Sequence, residues 1–302
     1  MAVGGGGNHP PVPVLFLGGG GGACLGGSSP QPPAQALPAA FHSLDDFLDV
    51  VSHAVAGLQQ DGGLHPAIRH PASLKKPLMV DWLTVEFHCH TAASADCLTP
   101  PADLVRVCAT RGIDRLIVTD HNTISGAHAA RALDPQRIIV GEEIMTTRGE
   151  LLAAYVREEV PKGLEPLEAI RRLREQGAFI SVSHPFDRFR SGGWREDDLL
   201  AILPHVDAIE TFNSRCIPAS FNQQAAEFAR AHNLLGTVGS DAHSLKEVGR
   251  ATQNIPPFHD ANSLKESLSH AMPRCRRSGF GVRLASRYAV LARRMGWEPP
   301  FP

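Results

Sequence analysis

The segment "VEFHCH", residues 85–90, places His88 and His90 two apart at the end of an apolar run. Successive side chains of an extended chain alternate sides, so Val85, Phe87 and Cys89 are expected on one face and Glu86, His88 and His90 on the other. Two imidazoles about 7 Å apart along a strand can chelate one ion. Alone, the pair is weak evidence, since most such pairs are satisfied surface or core histidines. The same residue types recur, however. Asp120-His121 follows "RLIVT", Glu142-Glu143 follow "RIIVG", Glu150 leads into "LLAAYV", and His184 follows "AFISVS". Glu210 and Asn213 lie in "VDAIETFN", and Asp241 and His243 follow "LLGTVGS". Imidazole and carboxylate are the ligands of Zn, Mn and Fe. Their return at one run after another has the pattern of a polynuclear metal site.

Such a site needs elements that bring its parts together. Seven β-prone runs carry these residues, and amphipathic segments separate most of them. Among the latter are "PPADLVRVCATRG" and "EPLEAIRRLREQG", with Leu167, Ile170 and Leu173 on one face of the second. Short apolar runs between helical segments predict parallel strands covered on the outside. An α/β barrel of seven strands accounts best for the residue types, because the C-terminal ends of barrel strands share one rim.

Composition narrows the class. The 302 residues carry a formal charge of −2, 43% hydrophobic and 20% charged residues, which gives no general attraction to nucleic acid or anionic membrane. No run approaches the roughly 18 apolar residues of a membrane span. Six cysteines without a CxxC pair predict reduced, mostly buried thiols and a cytoplasmic location. The first charged side chain is Asp45, so the positive start of a secretory signal is missing.

Three regions follow. Residues 1–78 are a low-complexity extension: its first 40 residues hold 11 of the 28 glycines and 7 of the 24 prolines, and are expected to be disordered. Residues 43–60 within it show helical spacing. Residues 79–273 form the barrel. Residues 274–302 form a basic tail in which Leu284, Tyr288, Leu291 and Met295 predict a helix docked by its apolar stripe with its basic side in water.

The motifs "FHCHT", "TDHNT", "GEE", "SHPF" and "GSDAH" occur in the order found in the PHP family, named for its polymerase and histidinol-phosphatase members. The chain resembles that family over residues 83–260. The resemblance implies a distorted seven-stranded α/β barrel holding two or three divalent ions (Zn, Mn or Fe) and hydrolysis of phosphate esters. Carried over by position, it implies His88, His90, Glu143 and Asp241 around a first metal. Glu143 would bridge to a second metal held also by His184, and a third would lie between Asp96, His121 and His243. The family's G-x-E pattern selects Glu143 over Glu142. Where many members place a histidine, this chain has Glu150.

Several residues have two readings. Asp96 fits a ligand or a turn residue leading into Thr99-Pro100-Pro101. Asp120 fits an orienting partner better than a ligand, Glu210 and Asn213 fit orienting partners or loop caps, and Cys89 fits packing behind the strand. A phosphate substrate needs fixed positive charge. Arg188 and Arg190 after "SHPF", and Arg215 with Asn213 near "ETFN", are the candidates for substrate binding. The expected activity is hydrolysis of a small phosphorylated metabolite or nucleotide through a metal-bound hydroxide, with Asp241 and His243 as catalytic residues. The alternatives are an amidohydrolase-like C–N or lactone hydrolase, a nuclease, or a non-catalytic metal-binding module. The five lysines stand at no strand end, which disfavours a carboxylated-lysine site. Neither a membrane nor a nucleic-acid partner is favoured.

Overall fold

The computed structural model describes residues 82–279 and 281–299. The helical spacing read at 43–60 and the boundary at residue 78 lie outside them. The apolar runs become β1 (Leu83–Cys89), β2 (Arg115–Val118), β3 (Ile138–Met145), β4 (Glu150–Ala154), β5 (Phe179–Val182), β6 (Ala208–Asn213) and β7 (Leu235–Gly239). Between and after them lie α1 (Pro101–Thr110), α2 (Ser125–Leu133), α3 (Pro166–Glu175), α4 (Glu196–Ile202), α5 (Ser220–Ala231), α6 (Ala261–Leu268) and α7 (Gly281–Arg294). Proline in the first turn starts α1 and α3, where a missing N–H leaves no bond unmade.

The sheet has nine strands rather than the expected seven, in the order β7-β6-β5-β4-β3-β2-β1-β8-β9. The two additional strands are β8 (Ala251–Ile255) and β9 (Met272–Cys275). "ATQNI" and "MPRC" carry no apolar run, because β8 mixes polar with apolar residues and every residue of β9 is exposed. β9 also crosses the expected boundary at 273, so the basic segment begins as a sheet edge. Nor is the sheet all parallel. β4 runs antiparallel to β3 and β5, and β8 runs antiparallel to β1. The ring nearly closes where His90 N–H donates to the Ala242 carbonyl at 2.9 Å and Asp241 N–H donates to the His88 carbonyl at 2.8 Å.

Two apolar layers hold the ring. Between helices and sheet, Leu104 and Cys108 of α1, Ala127 and Ala130 of α2, and Ile170 and Leu173 of α3 pack with Leu116, Val118, Ile138 and Val140. Inside, Val85, Phe87, Ile117, Ile139 and Phe179 meet Leu264 and Leu268 of α6.

The face assignment on β1 departs from strict alternation. Phe87 belongs to the inner cluster and Cys89 to the helix layer. The cause is a bulge: Glu86 pairs with Leu116 but Cys89 pairs with Val118, so β1 carries one residue more than β2. A bulge re-aims the residues beside it, which lets Phe87 fill the interior while His88 still turns to the rim.

The C-terminal helix also differs from expectation. Its apolar stripe faces outward, with Leu284 66%, Tyr288 62% and Met295 69% exposed. The docked face is built from Ala289 and Ala292, small enough for close approach. Arginines complete the attachment: Arg283 donates to the Arg215 carbonyl at 3.3 Å, and Arg293 donates to the Cys97 carbonyl at 3.2 Å. Long arginine stems can thus bind a helix to backbone oxygens without an apolar stripe. Among the described residues no helix is long and apolar enough to cross a membrane.

Candidate metal centre

All nine candidate ligands meet at one end of the ring. His88 Nε2 lies 3.2 Å from Glu143 Oε2 and 3.6 Å from Asp241 Oδ1, and His90 Nε2 lies 3.4 and 3.3 Å from the same two oxygens. His184 Nε2 is 3.2 Å from Glu143 Oε1 and 3.4 Å from Glu150 Oε2. His121 Nδ1 is 3.1 Å from Glu143 Oε2, and His243 Nε2 is 3.0 Å from Asp96 Oδ2. Glu143 is therefore central, touching four imidazoles. Glu150 joins because β4 runs antiparallel to its neighbours: its first residue lies at the same rim as the last residues of β3 and β5.

Hydrogen bonds behind the cluster set which ring nitrogen faces inward. Glu210 Oε1 accepts from His88 Nδ1–H at 3.0 Å, so that Nε2 is the ring nitrogen turned toward Glu143. Asp120 accepts from the Thr91 backbone and hydroxyl and from Ser94 Oγ, each at 2.7 Å. Ser94 Oγ, having donated to Asp120, accepts from His90 Nδ1–H at 3.2 Å. His243 Nδ1 accepts from Arg215 Nη1–H at 2.6 Å and lies 2.9 Å from the Asp241 carbonyl, and its Nε2 is turned to Asp96. The second carboxylate oxygen of Glu210 accepts from His184 N–H at 2.8 Å and from Asn213 Nδ2 at 3.0 Å. Gly239 allows this packing, since a Cβ there would overlap His88 and Glu210.

Several buried polar atoms of the cluster lack hydrogen-bond partners. Glu143 Oε2, Asp96 Oδ1, Asp241 Oδ1, His243 Nε2 and both ring nitrogens of His184 are buried without a hydrogen bond. Each such group costs about 1–3 kcal/mol if left unmatched, a cost that a bound cation would offset. Triads whose ligand atoms lie within 4.8 Å of one another are His88, His90 and Asp241; His121, Glu143 and Glu150; and His90, His121 and His243. Burial pushes the Glu143 carboxyl up, but His88 and His121 hold it well below the usual carboxylate range. Burial likewise opposes ionisation of Asp241, and the Arg190 guanidinium outweighs it. The donor set of nitrogen and anionic oxygen fits divalent cations such as Zn, Mn or Fe.

The cluster floors a pocket of about 380 Å³ lined by Asp96, His121, Glu150, His243, Phe189, Arg190, Ser191, Arg215 and three residues of α7: Arg283, Ser286 and Arg287. Of the candidate substrate residues, Arg215 lines it and also donates to the Val282 carbonyl at 3.0 Å and to Ser286 Oγ at 2.8 Å. Arg188 is exposed and does not line it; Arg190, two residues on, does so instead and donates to Asp241 Oδ2 at 2.5 Å. Asn213 is not at the pocket either. It is 1% exposed and its amide donates to Glu210 and Asp241, which places it behind the cluster. Glu142 points away and accepts from Val160 N–H at 3.0 Å, which agrees with the choice of Glu143. Cys89 packs in the helix layer, and every described cysteine is free. The α7 residues and Ser94 had no motif to announce them; only the four-residue spacing of Arg283 and Arg287 hinted at a shared helix face.

Comparison with known proteins agrees with this geometry. Residues 219–270 match the model of the PHP-associated family. An uncharacterised protein of Methanocaldococcus jannaschii is 36% identical over 172 residues, which are 56% of this chain and 69% of that protein. The chain belongs to the PHP family. A second M. jannaschii protein, also uncharacterised, is 32% identical over 146 residues, 44% of this chain and 82% of its own length. The PHP fold is seen as well in a two-domain protein of Bacteroides vulgatus containing a predicted PHP-like metal-dependent phosphoesterase, with a TM-score of 0.52 and 19% identity over 70% of each chain. PsfC of Pseudomonas syringae gives a TM-score of 0.51 at 17% identity, covering 72% of this chain and 100% of that one.

Proposed function

We propose that this protein is a metal-dependent phosphoesterase acting on a small phosphorylated metabolite or nucleotide. One observation carries the reading: unpartnered ligand atoms converge at the floor of a pocket whose walls are arginine. His88, His90, Glu143 and Asp241 would hold one cation, Glu143, Glu150 and His184 a second, and Asp96, His121 and His243 a third. Divalent ions there would offset charge on the phosphoryl oxygens and make water acidic enough to serve as a nucleophile near neutral pH. The predicted phosphoesterase within the B. vulgatus protein is in keeping with this activity.

The chain's own residues do the rest. Asp241 stays anionic because Oδ2 accepts from Arg190 and from Asn213, and its free Oδ1 faces His90. His243 is oriented by Arg215 and lines the pocket, so its position helps decide where a phosphate sits. His88, Glu143 and His184 are sealed from solvent, while His121 and Asp96 are 27% and 29% exposed. Substrate therefore enters over His121 and Asp96, and Arg190 and Arg215 face the incoming phosphate. The deciding experiment measures bound metal in the purified protein beside phosphate release from nucleotides, sugar phosphates and aryl phosphates. Two or three equivalents of metal with phosphate release are expected. A fully loaded protein inactive on every ester but active on amides or lactones would overturn the reading.

A further inference from the structure

The outer wall of the pocket belongs to α7, which lies beyond the residues matched by the PHP-associated model. Four guanidiniums line the pocket, and three of them are held in place by the protein. Arg190 donates to Asp187 at 3.1 Å and to Asp241. Arg215 bonds the Val282 carbonyl and Ser286, and its Nε lies 3.3 Å from Glu247 Oε1. Arg283 bonds Asp187 at 3.2 Å and the Arg215 carbonyl. Arg287 differs: it lines the same pocket, is exposed, and has no hydrogen-bond or ion-pair partner among the described residues.

Among the described residues no acid lies within ion-pair distance of Arg287. The acids that line the pocket among these residues are Asp96 and Glu150, which belong to the metal cluster. No acid occurs between Ser267 and Trp297 either. Arg287 stands one helical turn, about 6 Å, beyond Arg283 along α7, with Ser286 and Ser191 lining the pocket beside it. Because Arg215 and Arg283 pin α7 to the pocket wall, the helix that carries Arg287 is held in place. A guanidinium fork suits a carboxylate or phosphate.

We infer that Arg287 is an outer anion subsite, so that the substrate is a phosphate ester carrying a second negative group on its leaving portion. This rests on the phosphoesterase reading for the inner phosphate. The pinned arginines shape the wall, and Arg287 selects among esters by charge.

The test uses the full-length, manganese-loaded protein and ω-carboxyalkyl phosphonates with two to six methylenes, compared by calorimetry with their methyl esters. At the best chain length the carboxylate should bind about tenfold tighter than its ester. Arg287→Ala should bring that ratio close to one, and Arg287→Lys should restore part of it. Arg294→Ala, on the same helix but away from the pocket, should leave the ratio unchanged. Equal binding of acid and ester to wild type, or a ratio that persists in Arg287→Ala, overturns the subsite. Phosphate release from the matching phosphate esters is measured in parallel. A preserved binding ratio without turnover of any ester would support the subsite and refute the activity. Turnover without a ratio would do the reverse.

Discussion

Glu210 offers the sharpest check on how the cluster is held. Its two oxygens accept from His88 Nδ1–H at 3.0 Å and from His184 N–H at 2.8 Å, all groups being buried. Glu210→Gln keeps the shape but cannot serve both donors equally. One end becomes an NH2 group, which either opposes the His184 amide or forces the His88 proton onto Nε2, where it would occupy the lone pair meant for a metal. Exchanging a charge-assisted acceptor for a neutral one loses about 1 kcal/mol per bond. Two bonds give about 2 kcal/mol, or roughly thirtyfold in metal Kd, within the range usual for partners behind a ligand. Calorimetric titration of the apo protein with Mn2+ measures the Kd, and nitrogen NMR of the imidazoles reports the His88 tautomer. Glu142→Gln serves as the control, because that carboxyl faces Val160 rather than the cluster. If Glu210→Gln is folded and binds Mn2+ within about threefold of wild type, this account of the cluster's orientation is wrong.

Three other outcomes are expected. Asp241→Asn should lower metal stoichiometry and cut ester hydrolysis by about two or more orders of magnitude, since the anionic ligand is lost while the shape remains; full loading with undiminished phosphate release would contradict its role. Chelation should lower Tm, because buried carboxylates and lone pairs then lose their compensating charge; an unchanged Tm after verified metal removal would show that the cluster satisfies itself. Asp207 accepts from Arg174 at 2.6 Å, Lys265 at 2.9 Å and Ile180 N–H at 2.9 Å, and these bonds outweigh its burial and lower its pKa. Asp207→Ala should cost about 2 kcal/mol at pH 7, mainly through the unpaired Ile180 amide. A carboxylate whose folded pKa is depressed stabilises above its unfolded pKa, about 3.9, and that charge-dependent part fades as pH falls through the folded value. In urea melts the gap between variant and wild type should therefore narrow below about pH 4; a gap that widens in acid would refute the assignment.

What the sequence alone determined is the chemistry and the local periodicity. His88, His90, His121, Glu143, His184, Asp241 and His243 can be read as a set because they stand at the ends of five apolar runs, and such a run records locally that a strand is buried. The alternation of β1 to β7 with helices was legible for the same reason. Contacts between distant segments decided the rest. The bulge on β1 exists only in its pairing with β2, so the faces of Phe87 and Cys89 could not be assigned from alternation. The antiparallel setting of β4 brings Glu150 to the rim, and no local pattern states a strand's direction. β8 and β9 are held by backbone pairing despite polar sequences, which hides them from any search for apolar runs. The orientation of the C-terminal helix is not legible in the sequence, because hydrophobic periodicity identifies the stripe but not what covers it. Two alanines and the arginine-to-carbonyl bonds chose the docked face, and those acceptors, Cys97 and Arg215, lie far away in sequence. That choice set Arg287 on the pocket wall, a position that follows from the packing of α7 against the ring.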